Sequence, residues 1–187
     1  MLQFFSASTN IVNSKRAITE CLENALQGEP NLDCDLIIVY SAMGHNFKDL
    51  LSEARRLSPG ARITGCTCAG IIGKNGSDES MTALAIMAIK GPSNEFILTN
   101  RKTTQGIDPF KVAAEMAQEL KDKNPDINGL LFLPSIFEWL PFDQAIDGIN
   151  SVFNHGVTVF GGVAMDNFKM ENCFHFIDDQ VIALRGE

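Results

Sequence analysis

The residues best suited to chemistry are five cysteines (Cys21, Cys34, Cys66, Cys68, Cys173), the histidines His155 and His175, and the small-residue run Thr64-Gly65-Cys66-Thr67-Cys68-Ala69-Gly70. Small side chains and two glycines let another group approach the backbone closely. That group is either a ligand held by backbone N–H groups or a neighbouring strand packed on a crowded strand end, and the sequence leaves both readings open. A thiol enzyme would use Cys66 or Cys68 as nucleophile, His155 or His175 as base and Asp166 to orient the base. No basic side chain adjoins the two thiols to lower their pKa, so that chemistry is an alternative and not the expectation. Cys66-x-Cys68 and Cys173-x-His175 each place two donors on one face of a strand. Closed zinc sites use C-x(2–4)-C spacing, so buried free thiols are expected instead of a metal. Gly70 to Gly76 lacks the G-x-x-x-x-G-K-[ST] spacing of a phosphate loop, so Lys74 to Asp78 reads as an exposed turn and no cofactor is expected.

These residues need elements to position them, and the pattern of apolar runs is that of an α/β protein with mixed sheets and helices packed outside. Strands are expected over 2–8, 34–41, 62–67, 81–89, 94–100, 130–134 and 157–160. Helices are expected over 14–27, from Asn46 to Leu57, from Asp108-Pro109 to Leu120, and over 142–153. A hairpin around Asp178-Asp179 closes the chain. In such folds ligands bind beyond the carboxyl ends of strands. The ends that qualify are Ser8 to Asn10, Ser41 to Met43, Gly65 to Gly70 and Pro134-Ser135, with Gly161-Gly162 to Asp166 repeating the third.

The order of elements recurs. Phe4 maps to Phe96, Leu36–Ser41 to Leu130–Ser135, and Gly65-Cys66 to Gly161-Gly162, with an offset drifting from 92 to 96. This suggests one domain of two pseudo-repeats, 1–93 and 94–187, each a β-α-β-α-β-β unit. The ligand would meet Ser41, Ser135, the Gly65–Gly70 loop (Gly65, Cys66, Thr67, Cys68, Ala69, Gly70) and the Gly161, Gly162 and Asp166 loop, where Asp166 pairs an ammonium or hydroxyl group.

The 187 residues carry 15 basic and 23 acidic side chains, a net charge of -8. Residues 1–93 hold 8 basic and 9 acidic groups and 94–187 hold 7 and 14, so the excess belongs to the second half. The absence of a clustered basic surface argues against nucleic acid and anionic lipid as partners. No apolar run approaches the ~20 residues of a membrane span. With no secretory leader and an odd number of cysteines, the expected location is the cytoplasm with reduced thiols.

Gly65-Cys66-Thr67-Cys68-Ala69-Gly70, Val159-Phe160-Gly161-Gly162-Val163-Ala164-Met165-Asp166, and the closing segment Cys173 to Leu184 together resemble the FIST N-terminal domain. The resemblance covers nearly the whole chain. It implies a sensory, signal-input domain that binds small polar ligands such as amino acids, works beside a FIST C-terminal or signalling output domain, and needs no catalysis. A third alternative is an interaction scaffold, in which Phe137 to Phe142, with Trp139 at its centre, docks a missing domain.

Overall fold

The computed structural model describes residues 1–92, 95–101, 108–136, 141–169 and 171–185. Among them the order is β1 (Gln3–Thr9), α1 (Ser14–Ala25), β2 (Leu36–Ser41), α2 (Phe47–Leu57), β3 (Arg62–Thr67), β4 (Ile71–Gly73), β5 (Gly76–Asp78), β6 (Leu84–Lys90), α3 (Pro109–Lys123), β7 (Gly129–Phe132), α4 (Phe142–Phe153), β8 (Thr158–Gly161), β9 (Asn172–Ile177) and β10 (Gln180–Arg185). The class is the expected mixed α/β.

Two compact units divide the chain: Met1–Phe96 with Met165–Glu187, and Ile97–Ala164. The division does not fall at residues 93 and 94, because the closing hairpin joins the first unit and not the second. Duplication of the halves is not established by these units, which differ in strand number and order.

The first unit is a six-stranded sheet in the order β1-β6-β2-β3-β9-β10. Only β2 and β3 run parallel, and α2 makes the crossover between them, as parallel neighbours require. β6 pairs antiparallel with both β1 and β2, and β9 with β3. One face carries Ile37, Val39, Ile63, Leu84, Ile86, Ala88 and Phe176, and packs on the helical stripe Ala17, Ile18, Cys21, Leu22, Ala25, Leu26 of α1 and its flank and on Leu50, Leu51 and Ala54 of α2. The stripe expected for α1 is the stripe found, since residues three and four apart share a helix face. Asn13 and Asn46 cap the two helices by accepting N–H groups of Arg16 and Asp49. At the far edge Asp178 sits in the hairpin turn, where it receives Arg62 at 3.0 Å and the Ile63 N–H at 3.2 Å. Arg55 adds bonds to Asp179 and to the Pro59 and Ala61 carbonyls.

The opposite face has a row of residues in direct cross-strand register: Ala85, Tyr40, Cys66, His175, Ile182. The segment 71–78 folds as a small antiparallel hairpin, where an exposed turn was expected from Lys74 onward. Its Ile71 packs with Ala42 and Ala83, against Tyr40, Cys68 and Ala85.

In the second unit α3 and α4 pack on one face of β7 and β8 through Ala113, Ala117, Ala145, Ile149 and Val157. The two strands run parallel. The strand expected over 94–100 is not formed: described residues 95–100 pair with no strand. Period-two alternation makes a segment fit for a sheet, but an extended segment needs a partner edge to become a strand.

Gly65 and Gly161 occupy matching places. Each is in the parallel strand that follows a crossover helix, opposite Val39 and Phe132 respectively. Their φ angles are +148° and +152°, and an added Cβ would overlap the carbonyl oxygen of Val39 in one case and of Phe132 in the other. The close approach that these glycines permit is therefore to the neighbouring strand.

Candidate functional site

The carboxyl ends of β2 and β3 lie side by side, with Ser41 opposite Thr67. Both side chains are fully buried. The Ser41 hydroxyl donates to the Ala42 carbonyl at 2.9 Å, and Thr67 Oγ1 accepts the Phe174 N–H at 3.0 Å. Cys68 N–H donates to the Ser41 carbonyl at 3.0 Å, and Met165 N–H to the Thr67 carbonyl at 3.2 Å. The last bond carries the returning chain onto the end of β3 and delivers Asp166 to the strand ends. Six expected site residues, Ser41, Gly65, Cys66, Thr67, Cys68 and Asp166, thus share one region, and Ala69 and Gly70 lead away from it into the small hairpin. Ser135, Gly161 and Gly162 belong to the second unit. There Ser135 is fully buried and bridges to Ala164, while Gly161 and Gly162 are exposed.

A cavity of about 100 Å³ opens beside Asp166, lined by Met43, Met81, Asp166, Asn167, Lys169, Glu171 and Asn172. The Asp166 side chain is buried, and its Oδ2 accepts the N–H groups of Glu171 at 2.8 Å and Asn172 at 3.0 Å. A carboxylate gripped in this way fixes the loop that follows it. Phe168 in that loop has φ +61°, a left-handed conformation that is an outlier for a bulky residue. Asn167 Oδ1 is cut off from solvent without a hydrogen-bond partner. An acceptor in that state has roughly 1–3 kcal/mol to recover from a suitable donor. Strain and an unsatisfied polar atom together are a pattern typical of functional loops. On the near side, Gly44 N–H donates to the Met81 carbonyl at 2.7 Å, and His45 is held between Ser14 Oγ and the Thr82 carbonyl.

The thiols tell a different story. Register sets Cys66 directly across from His175, so one expected nucleophile and one expected base are neighbours on the same face. Burial pushes the Cys66 thiol up, with Cys68 and Cys173 adding to the rise, and it carries Cys68 up to about 11 against an opposing bond from Gly70. Burial also lowers His175 to about 4, and its Nε2 has no hydrogen-bond partner. A neutral thiol beside a neutral imidazole is the reverse of an activated thiolate–imidazolium pair. His155 lies in the second unit, at the turn after α4, with φ +57°. Among the described residues no group of three or more His, Cys, Asp or Glu is arranged to hold a metal ion. Trp139, with the rest of 137–140, lies outside the described residues.

Of the residues that line this cavity, Asp166 is among those singled out from the sequence, whereas Asn167, Lys169, Glu171, Asn172 and Met81 are not. The only local sign was the polar, turn-forming composition of 166–172 directly after the second glycine motif. Met81 enters through the Gly44 contact, which no local pattern encodes.

The FIST N domain family model matches residues 35–184, a span that crosses both units. The chain belongs to the FIST N domain family, a family of sensory and signal-transduction domains. Comparison with curated proteins gives no match. Among the described residues no helix is long and apolar enough to cross a membrane.

Proposed function

We propose that this FIST N domain is a signal-input module that takes a small polar molecule, an amino acid or a compound of similar size and polarity, into the crevice at the carboxyl ends of β2 and β3. The supporting observation is the Asp166 cavity, where a buried carboxylate, a partnerless amide oxygen and a strained Phe168 coincide at the strand ends where open α/β sheets bind ligands. Ser41 and Thr67 end the two strands with their hydroxyl groups engaged in internal bonds, and Gly65 allows β2 and β3 to approach each other closely. Occupancy shifts the population of the 166–172 loop between two arrangements, which requires the ligand to bind one of them better. A FIST C-terminal or signalling output domain reads the change, in the cytoplasm, where the five free thiols stay reduced.

The test is thermal melting of the full chain against amino acids, polyamines and small carboxylates. A ligand at 100 times its dissociation constant stabilises by about 2.7 kcal/mol, which for a domain of this size is a rise of about 5–10 °C. A melting temperature unmoved by every member of the panel would overturn the reading.

A further inference from the structure

The two edges of the six-stranded sheet are unlike. β1 ends against the small hairpin, where an added Cβ on Gly73 would strike Ser8 Oγ. β10 pairs with β9 on one side only among the described residues. The two-residue turn Asp178-Asp179 makes Ile177 and Gln180 the first hydrogen-bonded pair, and the pattern alternates from there. Asp178 N–H accordingly points the other way, to the Ile63 carbonyl at 2.7 Å. By the same alternation the N–H and C=O groups of Val181 and Ala183 face away from β9. Gln180–Leu184 carries none of the devices that keep an edge unpaired: no proline, no bulge in its register with β9 and no charged side chain.

Beside this edge runs a groove of about 430 Å³, lined by Lys48, Leu51, Ser52 and Arg55 of α2 and by Asp179 and Val181. β10 runs in the direction of β3, since each is antiparallel to β9. α2 crosses from the end of β2 to the start of β3 and so runs the opposite way. Arg55 therefore lies at the Asp179 end of β10, where the two are ion-paired at 3.0 Å. Lys48, in the first turn of α2, lies towards the Arg185 end. It is exposed and makes no ion pair among the described residues.

We infer that the β10 edge is a homodimer interface, on which a second copy of this chain adds its own β10 antiparallel about a two-fold axis through Ile182. In that register Val181 and Ala183 of one copy exchange N–H···O bonds with Ala183 and Val181 of the other, and the two Ile182 side chains meet. The same register carries Asp179 of each copy to the Arg185 end of the other's β10, the end at which Lys48 lacks a partner. The Asp179 side chain is 69% exposed even with Arg55 on it, so it is free to meet a second cation. The strand is thus complementary to itself, apolar residue opposite apolar residue and carboxylate towards the unpaired cation of the groove.

The test is sedimentation of the full chain over a concentration series, with amide exchange followed at Val181 and Ala183. A monomer–dimer equilibrium that stops at two copies is expected, with both amides slowed as the dimer forms. Ala183→Pro removes an outward donor at an exposed edge position and is expected to leave a folded monomer. Lys48→Glu and Asp179→Lys alter exposed groups and decide the matter if the proline variant does not fold. Each alone is expected to weaken dimerisation about tenfold, and an equimolar mixture of the two to recover it, because opposite charges then meet at both ends of the interface. A chain that stays monomeric throughout would overturn the interface, as would a dimer indifferent to a folded Ala183→Pro variant. Species that keep growing with concentration would overturn the two-fold axis, since β10 laid on β1 of the next copy does not close. A mixture no stronger than its components would overturn the register.

Discussion

The crossover β2-α2-β3 and the crossover β7-α4-β8 use the same local device and reach different ends. Each places two parallel strands with a positive-φ glycine packed against the backbone of its neighbour. The first is flanked by β6 on one side and β9 on the other, and its strands β2 and β3 are largely buried. The second is a two-stranded sheet whose Phe160 is 56% exposed. Parallel strands normally need cover on both faces. The difference teaches that the crossover alone sets the glycine geometry, whereas the added strands bury the strand ends and supply the loop that brings in Asp166.

The strongest way to break this comparison is to fill both glycines. Gly65→Ala forces a Cβ onto the Val39 carbonyl inside a packed six-stranded sheet and is expected to cost about 3 kcal/mol or more. Gly161→Ala meets the Phe132 carbonyl in a sheet that has two strands among the described residues, so about half that loss is expected. Urea unfolding with amide exchange, reporting on each sheet separately, measures both. Equal losses would mean that the flanking strands do nothing to stiffen the first crossover.

A second test uses burial. His175, held neutral by burial with a pKa of about 4, binds its proton later in the folded chain than in the unfolded chain, whose histidine titrates near 6.5. Its contribution is therefore fully present above about pH 6.5 and lost as pH falls towards about 4, by roughly 3 kcal/mol at most. Burial alone would raise the Asp178 carboxyl, but bonds from Arg62 and the Ile63 N–H, together with the Arg55 charge, hold it below its usual range. Its contribution is present above about pH 4 and disappears only below that. Urea midpoints between pH 4.5 and 7 should slope for the six-stranded sheet and flatten in His175→Leu. A slope that persists in the variant would assign the effect to other groups.

The smallest expected difference lies at the helix starts. Asn46 caps α2 through the Asp49 N–H, whereas Pro141 begins α4 with no side-chain cap. Asn46→Ala should cost about 1 kcal/mol, and Pro141→Ser, which supplies a hydroxyl, should gain less than that. Melting temperatures of the two single variants decide it, and a loss in Pro141→Ser would show that the proline itself sets the entry of α4.

What could be read from the residues was whatever local periodicity encodes. The α1 stripe, the span of α4 at 142–153, the span of β3 at 62–67 and the Asp178-Asp179 turn all rest on spacing within a few residues, and all appear in the structure as expected. The segment 94–100 had strand periodicity without a partner edge, and periodicity cannot report on partners. The placement of β9 against β3 depends on residues more than a hundred positions apart, so no local pattern shows which strand the closing hairpin joins. Asp166 was visible because it ends a glycine motif. Asn167, Lys169 and Glu171 were not, because a cavity wall exists only after Met165 docks on Thr67 and Gly44 on Met81.

The discontinuity of the first unit sets a timetable for its synthesis. Cys66 pairs with His175, 109 positions later, so the outer edge of β3 stays bare while the whole of Ile97–Ala164 is made. At about 5–20 residues per second on the ribosome that is a wait of about 5–20 s. For that interval β3 shows an open row of N–H and C=O groups to any strand nearby. The newborn chain is thus most prone to mispairing in the middle of translation, and the last strands to emerge end that hazard as they complete the crevice beside Asp166.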